Sequence, residues 1–214
     1  IMPETKTKNI GNKNLDLAIS QIERQFGKGS IMRMDEDKII KIDSISTGSI
    51  SLDASLGVGG VPKGRVLEVF GPESSGKTTL TLHIIAESQK KGGNCAFIDA
   101  EFSYDPIWSA NIGIDTEKLI VSRPQTGEKA LDVLLALCEQ EVDLVVLDSI
   151  AALLPTAEAQ EGMEHQSIGL QARMMNQFYR KLPQSNTKTA IILINQIRAG
   201  IGGYITRDAL PGGK

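Results

Sequence analysis

Gly71-Pro72-Glu73-Ser74-Ser75-Gly76-Lys77-Thr78, which follows the apolar-rich stretch Arg65–Phe70 and runs through Thr79 into a helical pattern ending near Lys91, decides the fold. The octapeptide satisfies G-x-x-x-x-G-K-[ST] in full. Its glycines let successive backbone N–H groups curl around phosphate oxygens, and the N-terminus of the following helix adds partial positive charge. Lys77 is placed to reach β- and γ-phosphates, and the Thr78 hydroxyl to ligate Mg²⁺. A glycine turn that binds nothing is the competing reading. The strand before and the helix after argue against it.

Outward from this loop, the chain alternates between strands and helices. Cys95–Ala100, Asp143–Leu147 and Thr189–Ile194 read as apolar strands, with helices at 106–111, 128–139 and 169–182 between them. Apolar strands alternating with helices indicate an α/β fold with a parallel sheet covered on both faces. Such sheets bind ligands beyond the C-terminal ends of their strands, so the residues that close each strand carry the chemistry. Ahead of this body, residues 1–13 are polar and lysine-bearing. Asn14 is placed to cap a helix with Leu15, Ala18, Ile19, Ile22 and Phe26 at helical spacing, ended by Gly27. Lys38–Ile42 reads as a short strand, and 47–64 as a glycine-rich stretch of turns. The organisation expected is an N-terminal segment, 1–43, and a core, 44–214.

The strand ends supply the candidates. Asp148 closes Leu144-Val145-Val146-Leu147 and fits the magnesium-side carboxylate of a P-loop NTPase, with helix capping as the alternative. Asp99-Ala100-Glu101 closes the second strand; a carboxylate there can orient and deprotonate an attacking water, or be an ordinary loop acid. Trp108, the only tryptophan, offers a ring for stacking on a base or for core packing. Asn195-Gln196 places two amides at the ligand edge, where a glutamine can sense a terminal phosphate. The segment 197–214 that follows has five glycines, and 158–168 is a second polar loop; both are expected to be mobile. Beside them runs a helix with Arg173, Arg180 and Lys181. Together these make a groove for a phosphodiester backbone, or two ordinary surface loops.

Charge distribution bears on the same question. Leu170 to Lys214 holds seven basic side chains and one acid, a net of +6, which leaves −9 for the rest of a chain whose total is −3. A basic end on an acidic body suits a polyanion, although a solvated face has the same composition. Two cysteines among apolar neighbours form no disulfide framework, which suits a reducing cytosol. No run approaches the roughly 20 apolar residues of a membrane span. Neither histidine lies in a zinc-ligand spacing, and no Ser-His-Asp arrangement is supported.

Phe26-Gly27-Lys28-Gly29-Ser30-Ile31-Met32-Arg33, Ile45-Ser46-Thr47-Gly48-Ser49, the phosphate loop through Thr79, Phe97–Glu101 (FIDAE) and Asn195–Arg198 (NQIR) together resemble bacterial RecA-type recombinases, in register from about Leu15 to Lys214. The resemblance implies an ATPase that assembles as a helical filament on single-stranded DNA and exchanges strands with double-stranded DNA in recombination and repair. It implies Glu101 as the water-activating residue, Asp105 and Trp108 at the adenine, and Gln196 as the γ-phosphate sensor. It places the two DNA loops at 158–168 and 197–213. Ile168 and Ile201 are implied as wedges between base triplets, Gly169, Arg173, Asn176 and Arg180 as contacts on or beside the intervening helix, and Arg198, Gly212 and Gly213 as contacts in the second loop. The N-terminal helix and strand would dock on an adjacent subunit. Phe102, the short stretch Lys181–Ser185, Ala199-Gly200 and Ala209-Leu210-Pro211 depart from the family's pattern. The resemblance also implies further strands and a C-terminal domain after Lys214, so a piece of a longer cytoplasmic protein is expected. A ring-forming RecA-type ATPase such as a replicative helicase and a non-catalytic ATP-gated DNA-binding module are the alternatives.

Overall fold

The computed structural model describes residues 13–31, 42–160, 169–185, 188–199 and 208–209. The chain divides into two compact units, Ile1–Lys41 and Ile42–Lys214. In the first, helix α1 spans Lys13–Phe26. It begins one residue before Asn14, which is therefore not its cap; helix ends commonly shift by that much. Gly27, at φ +97°, ends it and donates its N–H to the Glu23 carbonyl at 2.9 Å. A left-handed residue there costs little only without a Cβ. Of the strand expected over 38–42, all but Ile42 lies outside the described residues.

The second unit is built on five parallel strands. β3 (Val66–Gly71), β4 (Cys95–Asp99), β5 (Ile120–Ser122), β6 (Leu144–Asp148) and β7 (Ala190–Gln196) lie in the order β3-β7-β6-β4-β5. A small antiparallel pair precedes them, β1 (Ser44–Ile45) on β2 (Val61–Pro62), and another follows, β8 (Arg198–Ala199) on β9 (Asp208–Ala209).

Strand alternation divides the interior in two. Cys95, Phe97, Leu144, Val146, Ile192 and Ile194 pack with Leu82, Ile84 and Ile85 of helix α3 (Lys77–Lys90). Ala96, Ile98, Val145, Leu147, Ile191 and Leu193 pack with Leu131 and Leu134 of α5 (Gly127–Glu139) and with Met175 and Phe178 of α7 (Leu170–Ser185). Successive strand residues point to opposite faces, so these continuously apolar strands feed both cores. The chain travels outward from β3 to β5 with α3 on one face and returns through β6 to β7 with α5 and α7 on the other. A single hand of crossover requires this switch of face. Each core holds one buried cysteine, Cys95 on the α3 face and Cys138 on the α5–α7 face.

Some of the structure departs from the sequence reading. Within 47–64 lies a short helix, α2 (Ile50–Ser55). Polar bonds fix it, with Asp53 accepting from Ser46 Oγ at 2.6 Å, Thr47 N at 2.8 Å and Thr47 Oγ1 at 2.6 Å. Gly60, at φ +143°, is needed where β2 meets β1, because a Cβ would stand 2.2 Å from the Ile45 carbonyl oxygen. Helix α7 runs through Pro183 to Ser185 instead of ending at Leu182. A proline in the last turn removes one hydrogen bond where the helix is about to stop, so the loss is small. Asn195 does not face the ligand edge with Gln196. It is buried, and its amide donates to Glu68 Oε1 on β3 at 2.8 Å.

Candidate nucleotide site

Four strands end at one edge of the sheet. Gly71 is in register with Gln196, and Asp99 with Asp148. A cleft of about 470 Å³ opens there, lined by Glu73 to Thr79 together with Glu101, Asp148, Ile194 and Gln196. Its size falls within the range of small-molecule sites, about 300–1,000 Å³.

The loop from Gly71 to Thr78 has the backbone that anion binding requires. Ser74 lies at φ +56° and Gly76 at φ +86°, so the chain curls left-handed immediately before α3 begins at Lys77. This turns successive N–H groups inward, toward the space where the helix N-terminus also points. Lys77 Nζ donates to the loop's own carbonyl oxygens, those of Pro72 at 2.6 Å and Gly71 at 3.2 Å. These are neutral acceptors, weaker than a phosphate oxygen.

Thr78 Oγ1 donates to Asp148 Oδ2 at 2.6 Å. Asp148 is not a helix cap: Ser149 occupies the capping position of the short 3-10 turn Ile150–Ala152 that follows. Burial pushes the Asp148 carboxyl up to about 6. The charges of Glu101 and Asp99 add to the rise, while the Thr78 hydrogen bond and Lys77 oppose it. Paired hydroxyl and carboxylate oxygens, in a pocket already crowded with negative charge, are the donor set that Mg²⁺ favours. The residues fit that ion.

Glu101 lies across the cleft from the loop. Its Oε1 accepts from the Ser149 hydroxyl and from Gln196 Nε2, the latter at 2.9 Å. Its backbone N–H and that of Ala100 donate to the Asp148 carbonyl, at 3.2 and 2.7 Å. Glu101, Gln196 and Asp148 are therefore brought together by the ends of three neighbouring strands. The sequence reading missed Ser149. It follows Asp148 directly, but its contact with Glu101 spans 48 residues and leaves no signal in the sequence.

Asp105 and Trp108 stand outside the cleft walls, at the start of helix α4 (Pro106–Ile112). Asp105 Oδ1 caps that helix, accepting from Ile107 N at 2.8 Å and Trp108 N at 3.1 Å. Trp108 is half exposed, which excludes the core-packing alternative.

On α7, Arg173, Asn176 and Arg180 are exposed and spaced three and four residues apart, which puts them on one face. Met174, Met175, Phe178 and Leu182 are buried on the other. Gly169, at φ +81°, directly precedes the helix. Arg198 lies in β8. Ile168, Ile201, Gly212 and Gly213, with most of both glycine- or polar-rich loops, lie outside the described residues. No helix among the described residues is long and apolar enough to cross a membrane.

The family model described as the RecA N-terminal domain matches residues 13–214. The chain is 55% identical over 203 residues to Protein RecA of Wolbachia sp. subsp. Brugia malayi, covering 94% of this chain and 57% of that protein. It is 54% identical over 206 residues to Protein RecA of Campylobacter fetus subsp. fetus, covering 94% and 60%. With Protein RecA of Clostridium novyi it shares 52% identity over 206 residues, covering 94% and 59%. The chain thus spans somewhat under two thirds of the length of these curated relatives.

Proposed function

Because the chain belongs to the RecA N-terminal domain family, we propose that it is the nucleotide-binding part of a DNA-dependent ATPase that forms filaments on single-stranded DNA and pairs it with homologous duplex. The observation that carries this reading is the convergence of Lys77, Thr78, Asp148, Glu101 and Gln196 on one cleft, with Gln196 leading directly toward Arg198.

In this reading ATP enters with its phosphates against the loop N–H groups and Lys77 turns from the Pro72 and Gly71 carbonyls to the β/γ-phosphate oxygens. Thr78 and Asp148 would hold Mg²⁺, which when bound screens the phosphate charge. Glu101 accepts a proton from the attacking water, held in orientation by Ser149. Gln196 exchanges Glu101 for the γ-phosphate and so transmits the nucleotide state to the segment after β7. Asp105 and Trp108 would meet the adenine, with the half-exposed indole offering a face for stacking. Arg173, Asn176 and Arg180 would follow the DNA backbone, with the apolar Ile168 and Ile201 wedging between bases. Contacts of this kind read backbone and base faces, so binding would be largely independent of sequence. Residues 1–43 would dock on a neighbouring copy, burying the stripe on α1. The protein would work in the cytoplasm.

The test is steady-state ATP hydrolysis by the full-length protein with and without single-stranded DNA. Stimulated turnover that disappears in Lys77→Ala supports the reading, because nothing else in the loop supplies a charge to the β/γ-phosphates. Tight nucleotide binding without turnover in the unmodified protein would instead support the ATP-gated binding module.

A further inference from the structure

Strand β4 ends in Asp99, whose carboxylate is fully buried, and Arg123 follows directly after the neighbouring strand β5. Arg123 Nε donates to Asp99 Oδ2 at 3.1 Å, while its Nη2 donates to the Tyr104 carbonyl at 3.3 Å. Asp99 in turn accepts the Ser103 N–H on Oδ1 at 2.9 Å and the Tyr104 N–H on Oδ2 at 3.1 Å. The Tyr104 ring rests on Phe97, centroids 5.4 Å apart. One guanidinium therefore closes a ring of bonds around the loop joining β4 to α4. Inside this clasp, between Asp99 and Ser103, is Glu101. Just beyond it is Asp105, next to Tyr104, capping the helix that carries Trp108.

We infer that Arg123 is a positioning residue that fixes, through Asp99 and Tyr104, both the carboxylate of Glu101 and the ring of Trp108. The inference rests on the ATPase reading above. A planar guanidinium donates in two directions at once, so it can hold a side chain and a main-chain carbonyl in fixed relation; a lysine at the same place is a point donor and can hold one. A short loop with both ends anchored transmits a displacement at its middle to both sides. Positional errors of about 1 Å at a reacting group lower rates by as much as a hundredfold.

The experiment compares Arg123→Met and Arg123→Lys with the parent in the full-length protein. It measures kcat and KM for ATP, the intrinsic emission of Trp108 with and without nucleotide (tryptophans elsewhere in the full-length chain replaced by Phe), and hydrogen exchange at the Ser103 and Tyr104 amides. Arg123→Met should lower kcat roughly tenfold or more, shift the Trp108 emission in the nucleotide-free protein and speed exchange at both amides. Arg123→Lys should fall between it and the parent in all three. Should the methionine variant fail to fold, the lysine variant carries the test, because it retains the charge beside Asp99. Parental kcat and parental emission in the variant that folds would overturn the inference. So would a lowered kcat with unchanged emission and exchange, because Arg123 would then be acting without holding the loop. A parent that does not turn over ATP would sink the ATPase reading, while emission and exchange would still decide the clasp.

Discussion

Replacing Gln196 by alanine should leave ATP affinity almost unchanged and abolish the link between ATP and DNA binding. The Gln196 amide donates to Glu101 at 2.9 Å. A hydrogen bond to a charged acceptor is worth about 1.5–3 kcal/mol when protected from water. Glu101 is exposed and Gln196 half-buried, so the lower end, roughly 1.5 kcal/mol, applies. In the proposed mechanism ATP binding would exchange that bond for one to the γ-phosphate, also a charged acceptor. Alanine removes both, and the two losses nearly cancel. A residual of about 0.6 kcal/mol corresponds to roughly threefold in Kd. The coupling has no such cancellation, because it depends on Gln196 having two alternative partners. Coupling free energies of this type are about 1–3 kcal/mol, or roughly 5–150-fold. The assay titrates labelled single-stranded DNA into full-length protein, with and without a slowly hydrolysed ATP analogue, at one salt concentration because salt alone shifts DNA affinity. Kd for the analogue is measured separately, and again with DNA bound, since linkage requires the same factor in both directions. A variant with a tenfold loss of analogue affinity but full nucleotide enhancement of DNA binding would refute the exchange.

Further predictions concern the same chemistry and the scaffold beneath it. Glu101→Gln should bind nucleotide normally and lose hydrolysis, because its amide oxygen can still accept from Ser149 and Gln196 while a proton from water has nowhere to go; loss of affinity in a binding titration would make Glu101 structural. Gly60→Ala should destabilise by about 2 kcal/mol or more, since the new Cβ meets the Ile45 carbonyl; an unchanged melting temperature would contradict the packing described. Asp53 is held below its ordinary carboxylate range by the Ser46 hydroxyl first, then by the Thr47 hydroxyl and N–H. A depressed carboxylate contributes stability above its unfolded value of 3.8 and loses it as pH falls through the lower folded value. Asp53→Asn should therefore lag the parent in denaturant midpoint at pH 7, with the gap closing well below pH 4.

The parts of the fold that could be read from sequence are those where one physical requirement dominates. Leu144–Leu147 and Ile191–Ile194 must be apolar at every position to serve two cores, and that unbroken pattern marks a parallel strand. The phosphate loop is legible because Gly76 must adopt a positive φ and Lys77 must follow it. Helix α2 was hidden because nothing periodic marks it: Asp53, Ser46 and Thr47 hold it by side-chain bonds, which leave no hydrophobic signature. β5 has three residues, too few to show a period. The orientation of Asn195 was recoverable, since two successive strand residues cannot face the same way. The contact of Ser149 with Glu101 was not, because it joins residues far apart in the chain through strand order alone. Arg123 was silent for the same reason, becoming significant only once β5 lies beside β4.

The two cysteines give each face of the sheet its own chemical clock. Burial pushes both thiols up to about 11, so at pH 7 only about one in ten thousand is in the reactive thiolate form. Cys95 is sealed on the α3 face and Cys138 on the α5–α7 face, so a thiol reagent reaches either one only when that layer parts from the sheet. Equal labelling rates would mean that the molecule opens as one cooperative body. Faster labelling of Cys138 would mean that the layer carrying Arg173 and Arg180 breathes independently while the phosphate loop stays closed. The unmodified chain thus reports, without any engineered probe, whether its nucleotide side and its basic helix share a single stability or keep two.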